Sequence, residues 1–205
     1  MFTAIALGSL VLLALSATAN APTLPRSGKR RPMTPLPPDA AGKIDPKAQY
    51  PETARALAAK WGKVFDIPPG WVVSHCYVES TNMPFAYNKN GNAYGIMQIK
   101  PGTAGDIVRW LKASKYIANP LVTNTLKLWH GNGKDLFNPE LNVMFGTFYL
   151  RYIKNKFKTN NQKVVAGAYN QGPGAMARAL ADGELTEAMN EYIALIEDAK
   201  KKGYA

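Results

Sequence analysis

The stretch that decides the fold runs from Trp71 to Ile99, WVVSHCYVESTNMPFAYNKNGNAYGIMQI. It opens as an apolar segment with a carboxylate, Glu79, at its far end. A polar, glycine-containing loop follows, and a second apolar turn, Gly95-Ile96-Met97-Gln98-Ile99, closes it. Trp71, Val72, His75, Cys76 and Glu79 recur at helical spacing, so the segment predicts a helix with these residues on one face. A carboxylate at the end of an apolar stripe loses hydration, which raises its pKa and keeps it partly protonated. That is the state a general acid needs. Read by itself, Glu79 could equally be the polar end of a core helix, because a perturbed carboxylate marks a site only statistically.

Working outward, Glu79-Ser80 is followed by Gly95-Ile96-Met97-Gln98, and later by Ala168-Tyr169-Asn170-Gln171-Gly172. In this order and spacing the three runs resemble the signature motifs of soluble lytic transglycosylase (SLT) domains, a lysozyme-like family. Each run is weak alone; together they are specific. The resemblance extends over roughly residues 50–200.

The rest of the chain reads as all-α. The folded part is expected over residues 51–205, starting at Pro51 with Glu52 in the first turn, both favourable at a helix start. Leu57, Trp61, Val64 and Phe65 form a buried stripe, and Pro68-Pro69-Gly70 separates this helix from the one carrying Glu79. Further helices are predicted over Pro101–Lys112, packed through Ile107, Val108 and Leu111, and after the Asn138-Pro139 cap, with Leu141, Met144, Phe145, Phe148, Tyr152 and Ile153 inside. Three more follow at 162–170, 175–181 and 186–201. Residues 113–136 look like an insertion relative to the family pattern, with no firm structural reading. No strand pattern of useful length occurs.

Residues 1–20 read as a signal peptide or membrane anchor: Phe2–Ala19 carries no charge and is rich in Leu, Ala, Val and Ile. Small-residue cleavage sites end near Ala19 and Ala21, but Pro22 and the basic cluster Arg26, Lys29, Arg30 and Arg31 oppose simple cleavage and export. Residues 21–50 form a basic tether, since the stretch 21–51 holds eight prolines and almost no aromatic residue.

Across 205 residues the formal charge is +11, which calls for an anionic partner. No compact basic run interleaved with aromatics marks a nucleic-acid site, so nucleic acid is set aside in favour of the bacterial wall. Cys76 is the single cysteine, excluding an internal disulfide, and it reads as a small core residue. His75 and His130 have no metal-ligand spacing, so neither a metal nor a cofactor is expected.

The resemblance implies peptidoglycan glycan strands as substrate, cut between N-acetylmuramic acid and N-acetylglucosamine. It implies Glu79 as the catalytic acid and then base. The substrate's acetamido oxygen would meet the developing positive charge, and its 6-hydroxyl would close a 1,6-anhydro ring. Substrate binding would fall to Ser80 (or Ser80 would fix the loop), Met97, Gln98, Tyr169, Asn170 and the late tyrosine, for which Tyr192 is the nearest match, its preceding Glu187 one residue too far away. The acid inventory agrees with a single-carboxylate mechanism: no Asp or Glu lies between Glu79 and Asp106, whereas ordinary glycosidases pair two carboxylates about 5–9.5 Å apart. A goose-type muramidase and a catalytically silent wall-binding module are the alternatives. A periplasmic or membrane-anchored enzyme facing the wall follows, or a virion-associated one, working with secretion, conjugation or virion machinery.

Overall fold

The computed structural model describes residues 50–202. The expected amino-terminal apolar segment and the proline-rich tether lie outside them. Eight α-helices make up most of the described part: α1 (Tyr50–Phe65), α2 (Pro69–Ser80), α3 (Pro101–Lys112), α4 (Pro120–Leu126), α5 (Pro139–Lys156), α6 (Gln162–Gln171), α7 (Pro173–Asp182) and α8 (Glu187–Lys201). None of the described helices is long and apolar enough to cross a membrane.

The core forms around α2 and α5. Helix α2 packs on α1, α5 and α8, while α6 packs on α5, α7 and α8. Contact on so many sides buries α2 nearly all round: Val72, Val73, Ser74, His75, Cys76 and Ser80 are buried. This corrects the single apolar stripe, and Trp71 is only half-buried. Helix α5 is likewise buried continuously from Leu141 to Phe148, whereas Tyr152, expected inside, is half-buried. Val64 and Val108 are also half-buried, because the helices turn them towards a rim.

The α1–α5 contact is aromatic at its centre, where Phe65 meets Trp61 at 5.8 Å and Phe148 at 5.4 Å between ring centroids. Each large side chain removed from water here contributes about 1.5–3 kcal/mol. Surface ion pairs mark the two ends of that contact, Lys60–Glu140 at 2.6 Å and Arg151–Asp66 at 2.6 Å.

Caps set the helix boundaries. The side chains of Asn138, Asn161 and Thr186 accept from backbone N–H groups in the first turns of α5, α6 and α8. Residues 113–136, which have no firm reading from sequence, acquire one: a 3₁₀ turn at Lys115–Ala118, the short α4, and most of a second 3₁₀ turn at Gly133–Phe137. The loop after α2 also holds a two-stranded hairpin, β1 (Tyr87–Asn88) with β2 (Ala93–Tyr94). At two residues each, these strands are too short to leave an alternating pattern in sequence.

Candidate active site

The end of α2 fixes the position of Glu79. Thr81 and Asn82 both adopt left-handed conformations, with φ of 54° and 63°, and their N–H groups bond back to the Tyr77 and Cys76 carbonyls. The chain therefore turns sharply one residue after Glu79-Ser80. Glu79 sits in the last turn, at the negative end of the helix dipole, which disfavours a carboxylate.

Its surroundings do more. Burial, opposed by a hydrogen bond from Tyr192 and by the charge of Lys100, raises the Glu79 pKa from 4.5 to about 7. The Tyr192 hydroxyl donates to Glu79 Oε1 at 2.6 Å, reaching across from α8. The same burial, with the Glu79 charge nearby, pushes the Tyr192 and Tyr169 hydroxyls well above their ordinary range, so both stay protonated donors.

The second motif forms a closed turn beside Glu79. Tyr94 and Ile99 exchange both backbone hydrogen bonds at 3.0 Å, and Gly95 and Gln98 between them take positive φ. The turn is clamped from α5 by a fully buried Asn142, whose Oδ1 accepts from Met97 N at 2.8 Å. Asn142 Nδ2 donates to the Tyr94 and Leu136 carbonyls at 2.8 and 2.9 Å. A Cβ on Gly95 would overlap both Leu136 O and that amide, so only glycine fits there. On the same helix face, Gly146 leaves room for the Met97 side chain.

The third motif reaches this turn through Tyr169, whose hydroxyl donates to Met97 O at 2.8 Å. Behind both tyrosines lies His75, with its ring centroid 4.9 Å from Tyr169 and 6.0 Å from Tyr192. Its Nδ1 donates to Trp71 O at 2.7 Å. Burial lowers its pKa to about 4, so it is a neutral packing group here. Burial also raises the Cys76 thiol, which keeps it inert.

The structure thus gathers Glu79, Tyr169, Tyr192 and the 95–98 turn; it encloses Met97, expected against the sugar, and ties Ser80 to the loop, one of its two expected roles. Met97 is fully buried, with its N–H and carbonyl already bonded to Asn142 and Tyr169. Ser80 is 1% exposed, and its hydroxyl donates to the Ile96 and Cys76 carbonyls while accepting from Met83 N. Both brace the loop from behind, because residues so enclosed have no surface to offer a sugar. Gln98 is half-buried, its Nε2 donating to Ala86 O and Gly95 O, with Oε1 unpaired. Asn170 is exposed at the end of α6, its Oδ1 held by Gln171.

Sequence reasoning missed Asn142 and Gly146. The signals were present: an amide inside an apolar run, and a glycine in mid-helix, where it costs about 1 kcal/mol and so usually has a packing reason. Among the described residues no cluster of His, Cys, Asp and Glu could hold a metal ion.

A helical domain with a buried carboxyl of raised pKa bonded by a tyrosine, beside a clamped turn, is of the lysozyme-like kind. The particular family follows from comparison: residues 56–190 match the transglycosylase SLT domain family. The chain belongs to that family. It is 31% identical over 126 residues to the soluble lytic murein transglycosylase of Salmonella typhimurium, covering 62% of this chain and 17% of that protein. It is 28% identical over 138 residues to membrane-bound lytic murein transglycosylase E of Buchnera aphidicola, covering 65% and 54%. A third match, at 29% over 145 residues, is membrane-bound lytic murein transglycosylase C of Actinobacillus pleuropneumoniae, covering 67% and 35%. The chain thus spans only a part of these relatives, from about a sixth to about half of their length.

Proposed function

We propose that this protein is a peptidoglycan lytic transglycosylase that cleaves the bond between N-acetylmuramic acid and N-acetylglucosamine without water. The observation that carries this reading is the Glu79 carboxyl, lifted to about pH 7 and held by Tyr192 within an SLT domain. At neutral pH such a group is both protonated and ionised in comparable amounts, which suits one residue to act first as acid and then as base.

Protonated Glu79 donates to the glycosidic oxygen as the acetamido oxygen of the muramyl residue attacks its anomeric carbon. The departing N-acetylglucosamine carries that proton. Glu79, now a carboxylate, takes the proton of the muramyl 6-hydroxyl; that oxygen attacks the anomeric carbon and the acetamido group is released. The product ends in a 1,6-anhydro ring, and the intramolecular attack benefits from high effective molarity. Tyr192 keeps Glu79 oriented, Tyr169 fixes the 95–98 turn, and Gln98 Oε1 and Asn170 face the sugar. Tandem mass spectrometry of digested peptidoglycan tests this: anhydro ends support it, and reducing ends, heavier by one water, refute it.

The same reading divides the chain into a membrane-targeting segment at 1–20, a basic tether at 21–50 and the catalytic domain at 51–205. It places the enzyme on the periplasmic side, facing the wall. The role this reading assigns is local opening of the wall for secretion, conjugation or the passage of a phage.

A further inference from the structure

The region around α4 combines basic side chains with exposed apolar ones. From Ile107 to Lys134 there is no Asp or Glu, yet Arg109, Lys112, Lys115, Lys127 and Lys134 all fall within it. Among the described residues only Arg109 of these five meets a carboxylate, that of Asp106. Lys115 lies over the Tyr116 ring and Lys127 donates to Asn124 Oδ1. The same region exposes Leu121 at 47% and Leu128 at 39%, two of the few large apolar side chains left in water. Between α3 and α4 runs a groove of about 240 Å³, lined by Val108, Leu126 and Trp129 with Thr123, Lys112 and Lys127. Trp129 is rooted in the core against Phe145, at 5.8 Å between ring centroids, and half-exposed at the groove.

We propose that this α3–α4 face docks on an anionic lipid bilayer. Lysines without a carboxylate partner, a tryptophan at the boundary and protruding leucines are the side chains that settle at a membrane interface. The wall and nucleic acid would satisfy the cations but offer no apolar phase for Leu121 and Leu128. A bilayer satisfies both: phosphate headgroups meet Lys112 and Lys127 at the groove, and the leucines enter the acyl boundary.

The geometry leaves the active site free. On α3, Val108 and Lys112 lie about 120–160° around the axis from Asp106 and Trp110. That other face stacks Trp110 on Tyr152 at 3.9 Å, beside Tyr149, whose ring is 5.4 Å from Tyr169. A docked domain would thus hold the glycan site away from the lipid. The inference is independent of the lytic chemistry, and its test does not use activity.

The experiment uses the full chain with Leu128→Cys carrying a polarity-sensitive fluorophore; Cys76 is fully buried and escapes labelling. The comparison label sits at Leu180→Cys, exposed on α7. Vesicles of phosphatidylcholine containing phosphatidylglycerol should shift the label at 128 to the blue and leave the label at 180 in water. Attachment through residues before the domain alone would leave both labels in water and overturn the proposal. Lys112→Gln and Lys127→Gln, both on the surface and checked by an unchanged Tm, should each weaken the vesicle titration about five-fold. Equal shifts with pure phosphatidylcholine, indifference to the lysines, or a shift with isolated peptidoglycan in place of vesicles would each also overturn it.

Discussion

At the scale of residues, Glu79 carries two opposing demands. The native protein holds its proton up to about pH 7, whereas the ordinary value is 4.5. Between these pH values the folded state binds a proton that the unfolded chain has released, so stability falls as pH rises through this window and then levels off. Glu79→Gln removes that penalty. Thermal melts should find the variant more stable than the parent by on the order of 1–3 kcal/mol above about pH 7, and equal to it below about pH 4.5. The same variant should lose about 10²–10⁴-fold in turnover on isolated peptidoglycan, since one group does both proton transfers. Near-parental turnover in the folded variant would remove Glu79 from the mechanism. Tyr192 acts on the same equilibrium with the opposite sign, because its hydrogen bond favours the ionised carboxylate. Activity in the parent should therefore decline above about pH 7 as the acid is lost, and in Tyr192→Phe that limb should move to higher pH. A pH profile of kcat/KM that does not move would mean that the contact is only structural.

At the scale of elements, the site depends on how one turn is held against one helix. Asn142 satisfies Met97 N, Tyr94 O and Leu136 O from inside α5. Asn142→Ala would strand the buried Met97 N–H and the Leu136 carbonyl, each costing about 1–3 kcal/mol, while Tyr94 O keeps its bond from Ile99 N. Denaturant unfolding should show a loss of about 2 kcal/mol or more, with turnover falling in the fraction that remains folded. A loss under about 0.5 kcal/mol, the size of an ordinary surface change, would mean the clamp is not formed. This clamp also shows where sequence reading stops. The caps at Asn138 and Thr186 and the breaks at Pro68-Pro69 and Gly172-Pro173 are local signals, so the helices from α1 to α8 were legible outside residues 113–136. Met97 and Asn142 are far apart in the chain, and nothing local says that one amide spans the gap. The buried sides of α2 were misread for the same reason: its own periodicity cannot reveal that α1, α5 and α8 all press on it. Residues 113–136 resisted because short 3₁₀ turns repeat no pattern long enough to count.

At the scale of the whole molecule, the distribution of carboxylates decides which product forms. Most glycoside hydrolases place a second acid near the first, either to hold a water or to attack the sugar. The structure commits five of the described carboxylates elsewhere. Asp66 pairs with Arg151, Glu140 with Lys60, and Glu197 and Asp198 with Lys163 and Lys202. Asp135 accepts from the backbone of His130 and Asn132. The charged group acting on Glu79 is a cation, Lys100. Asp106 is the acid that sequence leaves open, since it follows the second motif closely. In the fold it lies on α3, paired to Arg109, with its side chain 45% exposed. Burial and then Tyr152 raise the Tyr149 hydroxyl to about 12, Asp106 is near enough to add to this, and Tyr149 touches Tyr169. Asp106 is thus at the margin of the site, reached through two tyrosines. Asp106→Asn should keep more than about half of the parental turnover, because an exposed pair of this kind is worth under about 1 kcal/mol. Its digests should still end in 1,6-anhydro sugars. Reducing ends from the parent, together with a loss of activity in Asp106→Asn comparable to that of Glu79→Gln, would make this a two-carboxylate muramidase.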